Sequence, residues 1–182
     1  MRVLGIVGSL RRASHNRRLL GAAAALLPPR VELVEFDGLK AVPPYDQDDE
    51  INPALAVHAL RDAIAEADAV LFATPEYNAS IPGQLKNAID WASRPISTAA
   101  LRNKPVAVIG ASTSMFGAVW AQAQLRTSLA TAGARVIDRE LPVAWADEAF
   151  TDEGTLAERD LALELGSILA ALVDSARERM AA

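Results

Sequence analysis

The chain has no cysteine. That absence excludes disulfides, thiolate metal sites, iron–sulfur clusters and a cysteine nucleophile together. It is compatible with a reducing compartment, and a cytoplasmic location is expected. No charged leader, apolar core and cleavage site precede Arg2, so no signal peptide is expected. The longest apolar stretch, Gly21 to Leu27, is too short and too rich in alanine to span a bilayer. No internal repeat or low-complexity tail is visible. An excess of positive charge is also missing: 18 Lys and Arg stand against 23 Asp and Glu, a formal net charge of −5. A general nucleic-acid binder is therefore disfavoured, and any anion site must be local. Neither the three-glycine dinucleotide spacing nor a Gly-Lys-Ser/Thr phosphate loop occurs, which disfavours a Rossmann core binding NAD and an ATPase.

What remains is 182 residues, 51% of them hydrophobic, enough for one domain over 1–182 with a full core. Apolar strand patterns alternate with helix patterns. Strands are expected at Arg2–Val7, Val31–Phe36 (an edge strand), Ala69–Thr74, Lys104–Gly110 and, briefly, Ala134–Ile137. Helices are expected at Asn16–Leu27, from Pro53 in a first turn to Glu66, at Gln84–Ser93, Met115–Ala132 and Thr155–Arg179. In the last of these, Leu161, Leu165, Ile168, Leu169 and Leu172 face inward. The segment Leu141–Gly154 reads as an irregular acidic loop that carries Trp145 and Phe150. Five strands alternating with helices imply a doubly covered parallel sheet. The fold class expected is α/β, a flavodoxin-like three-layer sandwich of strand order 2-1-3-4-5, with ligands at the carboxyl ends of strands one and three.

Two loops leave those strand ends. The first, Gly8 to Asn16, offers Ser9, Ser14, Asn16 and Arg11 close to a helix start, where N–H groups and the helix dipole suit a phosphate. Ser14 or Asn16 acting as a plain helix cap is the competing reading. His15, a single histidine with no partner visible in the sequence, reads as incidental rather than as a catalytic base. The second loop, Pro75-Glu76-Tyr77-Asn78-Ala79-Ser80-Ile81-Pro82-Gly83, combines backbone donors with an aromatic ring between two stiffening prolines. The amides of Glu76, Tyr77 and Asn78 suit the edge of a flat heterocycle, and Glu76 reads as a carboxylate bonded within its own loop. A third loop, Gly110 to Gly117, adds Ser112 and Thr113, as ligand donors or as caps. Trp91 and Trp120 read as core or subunit contacts. A phosphorylated flat cofactor fits the first two loops together, and FMN is the leading candidate.

At these loops the chain resembles the NADPH-dependent FMN reductase family, and more closely its chromate- and quinone-reducing branch. The resemblance rests on GSLRRASHN at 8–16, PEYNASIPGQLKNAIDW at 75–91 and the serine-containing turn at 110–117. It implies a flavodoxin-like domain that binds FMN non-covalently, takes NADPH or NADH as reductant and assembles as a homodimer or homotetramer. It also implies that Ser9, Arg11, Ser14, His15 and Asn16 surround the phosphate. Pro75, Glu76, Tyr77, Asn78 and Ala79 would line the ring, with Ser112 and Thr113 at its edge. Ala111 and Thr113 depart from the family's third turn, and Ala123 stands where some relatives carry a tyrosine at a tetramer contact.

The function expected is two-electron, ping-pong reduction of quinones or similar acceptors (azo compounds, chromate) by an FMN-dependent NAD(P)H oxidoreductase. FMN would carry the hydride chemistry, so no catalytic side chain and no metal is expected. The expected partner is a small-molecule acceptor, with neither nucleic acid nor membrane. Two alternatives stay open: an NAD(P)H:flavin reductase for which FMN is a substrate, and a flavodoxin-type electron carrier or non-catalytic FMN binder. Arg11, Arg12, Arg17, Arg18 and Arg94 are candidates for nucleotide contact.

Overall fold

The computed structural model describes residues 1–181; residue 182, the last of the expected domain, lies outside the described residues. Six strands and five α-helices alternate: β1 (Arg2–Val7), α1 (His15–Leu26), β2 (Glu32–Glu35), α2 (Leu55–Glu66), β3 (Ala69–Thr74), α3 (Gly83–Ala92), β4 (Pro105–Ala111), α4 (Val119–Thr131), β5 (Arg135–Val136), β6 (Pro142–Val143) and α5 (Arg159–Ala181). All pairings are parallel, in the order β2-β1-β3-β4-β5, and β6 also pairs with β4. This is the expected flavodoxin-like arrangement, with β2 at the edge.

The sheet is central, and its two faces carry separate cores. Leu4, Ile6, Val70, Phe72, Val106 and Val108 face α2, α3 and α4. Val3, Val7, Leu71, Ala73, Ala107 and Ile109 face α1 and α5. Alternating residues of each strand thus serve opposite layers, which is why the three inner strands read as unbroken apolar runs. Gly5 lets α1 come close, since a Cβ there would lie 2.6 Å from a Leu20 methyl carbon. Trp91 is fully buried, whereas Trp120 is about half exposed.

Several boundaries move, each for a local reason. Pro53 does not open α2; Ala54 is its N-cap, so the proline lies one residue before the cap and two before the first helical residue, Leu55. Residues 115–118 form a turn rather than the start of α4, because Gly117 and Ala118 both adopt positive φ. A Cβ on Gly117 would sit 2.3 Å from the Pro142 backbone, so the crossing needs glycine. The closing helix starts at Arg159 rather than Thr155, and Leu161 is only half-buried while Leu165, Ile168, Leu169 and Leu172 are buried.

The expected fifth strand is present as β5, and a further short strand, β6, lies in the segment expected as an irregular loop. β4 pairs with Arg135 and Val136 at its start, and with Pro142 and Val143 at its end. Three residues of β4 separate those pairings, against five in the neighbouring chain, so two residues must bulge out. Gln122 on α4 repairs the gap. Its fully buried side chain donates to the carbonyls of Leu141 and Gly117, both at 3.1 Å, and accepts from the Leu141 amide at 3.0 Å. Gln122→Leu is expected to lower stability by about 2–4 kcal/mol, because it strands several buried polar groups at once. A fall in the denaturant midpoint with unchanged slope would register it.

At the opposite end of the sheet, Lys104 is buried and its ammonium donates to the carbonyls of Ala65 (3.1 Å) and Ala67, closing the end of α2. Burial first, and then Arg179, push its pKa down to about 8, while Asp68 pulls it the other way. The folded chain therefore releases this proton at lower pH than the unfolded chain does. Between pH 8 and the ordinary lysine value the unfolded state holds more protons, and stability rises with pH. The unfolding free energy of the unaltered chain minus that of Lys104→Met is expected to increase over that window. A flat difference would contradict the assignment.

Candidate functional site

Three loops converge at the carboxyl ends of β1, β3 and β4. Their roots are tied together: the Gly8 amide donates to the Ala73 carbonyl at 2.8 Å, and the buried Thr74 hydroxyl donates to the Pro75 carbonyl at 2.8 Å. Between them opens a cavity of about 240 Å³ lined by Ser9, Arg11, Ser14, His15, Asn16, Pro75, Glu76, Tyr77, Ala111, Ser112 and Thr113. Every residue expected to hold FMN lies on it except Asn78 and Ala79; Ala111, noted in the sequence only as a departure in the third turn, joins it. A larger open groove of about 930 Å³ lies elsewhere, between the far ends of α3 and α4. It touches none of these loops.

The first loop ends where α1 begins. Ser14 is buried and is the N-cap, its hydroxyl accepting from the Arg17 amide at 3.4 Å. The cap reading therefore holds for Ser14, and its hydroxyl hydrogen still has a direction free. Asn16 is buried as well, with its side chain committed: Nδ2 donates to the Ala111 carbonyl and Oδ1 accepts from the Ala111 amide, both at 2.9 Å. Two of its four hydrogen-bonding directions are thus spent on β4.

His15 has the partner the sequence concealed. Its Nε2 lies 3.1 Å from a carboxylate oxygen of Asp147, which is 132 positions away in the chain. Its Nδ1 is buried without a partner. Asp147 belongs to the segment after β6, which is bound to the third loop through Trp145 N–H to the Ser114 carbonyl and Ala146 N–H to the Ser112 carbonyl. The expected irregular loop is therefore pinned against the cavity.

The second loop is a tight hairpin. Tyr77 and Ser80 exchange two backbone hydrogen bonds, and Asn78 and Ala79 both take positive φ, as the central pair of a type I′ turn does. The Tyr77 amide is consequently spent on Ser80 and cannot serve a ligand edge. The amides of Glu76 and Asn78 find no acceptor among the described residues. The Glu76 carboxylate does not bond within its own loop: it accepts from the Ala121 amide at 3.0 Å, in the first turn of α4. A carboxylate is favoured there by the helix dipole. Gln124 steadies the hairpin tip, donating to the Ala79 carbonyl at 3.0 Å and accepting from the Ser80 hydroxyl at 2.7 Å. Ser112 is engaged too, its hydroxyl accepting from the Ser114 amide at 3.2 Å, while its own amide donates to Val143.

Among the arginines weighed as nucleotide contacts, three have other work. Arg17 reaches Glu35 at 2.8 Å, Arg18 covers the Phe150 ring at 4.6 Å, and Arg94 faces Glu50 at 3.5 Å. Arg11 and Arg12 are exposed and unpaired. Among the described residues there is no cluster of His, Asp or Glu suited to a metal ion. No helix among them is long and apolar enough to cross a membrane.

The arrangement offers an anion seat at the α1 N-terminus and, beside it, a hairpin with free amides under an exposed tyrosine. It offers no nucleophile paired with a base. The residues missed in the sequence are Ala111, Gln122, Gln124 and Asp147. Gln122 left a trace, a polar residue on the apolar stripe with Leu125 and Leu129; the others left none.

Comparison with known proteins gives the same direction. The model of the NADPH-dependent FMN reductase family matches residues 1–147. An NAD(P)H-dependent FMN reductase of Pseudomonas aeruginosa is 42% identical over 167 residues, covering 91% of this chain and 89% of that one. A quinone reductase of Pseudomonas putida is 39% identical over 160 residues, covering 85% and 83%. The solved structure of FerB, a flavoenzyme NAD(P)H:(acceptor) oxidoreductase from Paracoccus denitrificans, superposes with a TM-score of 0.85 at 36% identity, over 97% of each chain.

Ala79 holds a left-handed conformation that costs an L-residue with a Cβ about 1–2 kcal/mol and costs glycine almost nothing. Ala79→Gly is expected to raise the unfolding free energy by about 1 kcal/mol, read by thermal melting, with the hairpin unchanged.

Proposed function

The chain belongs to the NADPH-dependent FMN reductase family and is an oxidoreductase using NAD(P)H and FMN; from that premise we propose that its acceptors are quinones, reduced two electrons at a time in a ping-pong cycle. Azo compounds and chromate are further acceptors on this reading, and each needs more than one two-electron turnover for full reduction. The observation that carries the reading is the meeting of the anion seat and the hairpin in one cavity at the ends of β1 and β3.

The donors fit FMN. Ser9, Arg11, Ser14, His15 and Asn16 would hold its phosphate: two buried hydroxyls, one unpaired guanidinium, the helix N-terminus and a buried imidazole nitrogen with no other partner. Asn16 would do so with its backbone amide or its remaining side-chain hydrogen, since the rest of its amide serves Ala111. Pro75, Glu76, Tyr77, Asn78, Ala79, Ser112 and Thr113 would border the ring. Glu76 and Asn78 contribute free N–H groups, whereas Tyr77 contributes its ring and not its amide. FMN, when bound, supplies hydride acceptance from NAD(P)H and electron delivery to the acceptor. The side chains orient it, and the N–H donors favour negative charge where they point, a preorganised electrostatic effect.

The same reading takes 1–182 as one FMN-binding domain and the protein as a cytoplasmic homodimer or homotetramer. Support for self-association comes from Phe116 and Trp120, whose rings lie 4.7 Å apart while each stays about half exposed.

The decisive experiment is an absorbance spectrum of the purified protein, followed by anaerobic addition of NADH or NADPH and then of benzoquinone. Bleaching by the nicotinamide and recovery with the quinone are expected. Flavin lost on gel filtration would favour FMN as a substrate, and failure to oxidise NAD(P)H would favour a carrier or a silent binder. In a companion titration of the apoprotein, Arg11→Ala is expected to weaken FMN binding by about tenfold, the worth of one charge-assisted bond, while riboflavin, which lacks the phosphate, is held unchanged. Equal losses for both ligands would remove Arg11 from the phosphate seat.

A further inference from the structure

Arg17 stands in the first turn of α1 and does not line the cavity. Its guanidinium nevertheless makes three bonds that all bear on the first loop. Nε donates to the Glu35 carboxylate on β2 at 2.8 Å, and Nη1 donates to the carbonyls of Arg11 at 3.1 Å and Arg12 at 3.2 Å. The Arg17 side chain is only half-buried, and its partner Glu35 is less exposed still.

Two successive carbonyls drawn to one cation fix two successive peptide planes. In a trans peptide the N–H points opposite to the C=O of the same unit. The Arg11 carbonyl shares its peptide with the Arg12 amide, and the Arg12 carbonyl shares its peptide with the Ala13 amide. Both amides are therefore turned away from Arg17 and from the β2 edge. Neither finds an acceptor among the described residues. Their chain neighbours on either side, Arg11 and Ser14, line the cavity.

We propose that Arg17, braced by Glu35, is a positioning residue that presents the Arg12 and Ala13 amides as donors to the phosphate of the bound cofactor. It acts through the loop and does not touch the ligand. Without the brace, two exposed peptide units rotate freely, and the ordering of that segment must be met when the ligand binds. The inference rests on the FMN reading above.

Coulomb attraction alone makes different predictions, which allows a clean test. The measurement is FMN and riboflavin affinity of the apoprotein, by quenching of flavin fluorescence, for the unaltered chain and for Arg17→Met, Arg17→Lys and Glu35→Met. The brace predicts that Arg17→Met weakens FMN binding by about tenfold while riboflavin changes less than about twofold. Arg17→Lys, which keeps the charge but loses the planar fork, is expected to show most of the same loss. Glu35→Met removes a negative charge near the anion, so simple electrostatics predicts tighter FMN binding; the brace predicts weaker binding.

Tighter binding in Glu35→Met, or an unchanged affinity in Arg17→Lys, overturns the proposal. Backbone 15N relaxation of the free protein gives a second readout. Lower order parameters at residues 10–13 in Arg17→Met, with the rest of the chain unaltered, are expected, and no change there also overturns it. If the unaltered chain fails to bind FMN, or does not prefer it to riboflavin, the cofactor reading fails first, and the relaxation data alone then judge the brace.

Discussion

Ala111 closes β4 one residue beyond its last pairing with β3, and the site depends on how its backbone is met. The register places Ala73 against Ile109 and Thr74 against Gly110, so the next partner of Ala111 would be Pro75. In a continuing parallel ladder the Glu76 amide would serve the Ala111 carbonyl. The Asn16 side chain donates to that carbonyl instead, and its Oδ1 also accepts from the Ala111 amide. A primary amide has the same donor and acceptor as a peptide unit, so the substitution leaves no buried group unpaired. Leaving the pair unmet would cost about 1–3 kcal/mol per group. Because Asn16 completes the ladder, β3 is released at Pro75, the chain turns into the hairpin, and the Glu76 amide is left free at the cavity.

Gln122 does the same on the other side of β4. There the neighbouring chain carries two residues too many between its pairings, and a second primary amide takes the place of the missing ladder bonds. Its third bond, to the Gly117 carbonyl, reaches the turn that ends the third loop. One amide from α1 therefore ties the end of β4, and one from α4 ties the chain beside it at Leu141 to the third loop at Gly117. A site built this way is set before any ligand arrives, which lowers the ordering cost of binding.

The sheet and its order were legible in the sequence because each inner strand is buried on both faces and must be apolar throughout, while Pro28 and Pro82 mark helix boundaries. The convergence of the loops was legible too, since strand order alone sends the first and second loops to one crevice. Bonds between distant side chains were not legible. Nothing in the spacing of His15 and Asp147, or of Asn16 and Ala111, announces that they touch. Local chemistry misled in two places. The hairpin spends the Tyr77 amide on Ser80, and Glu76 serves α4, because a carboxylate beside an unpaired helix N-terminus is better placed there than in its own loop. β6 was not legible because two residues inside an acidic loop carry no strand period, and Gln122, which anchors that stretch, stood out only as a polar residue on an apolar stripe.

The electrostatics of the anion seat follow from the same economy of partners. The chain is acidic overall, and Asp147 sits at the rim with much of its surface in water. Arg17 and Arg18 begin α1 beside the seat, yet one is neutralised by Glu35 and the other rests on Phe150. Arg11 and Arg12 remain on the loop, both exposed, where salt screens their attraction within about 10 Å at moderate ionic strength. The donors shielded from solvent are of another kind: the hydroxyls of Ser9 and Ser14 and the first-turn amides of α1. These are dipoles fixed by the fold, and they gain strength from burial as exposed ions do not. A phosphate at this position would therefore be gripped by dipoles at its centre and by ions only at its edge. Such a seat would let a protein of net negative charge hold an anion.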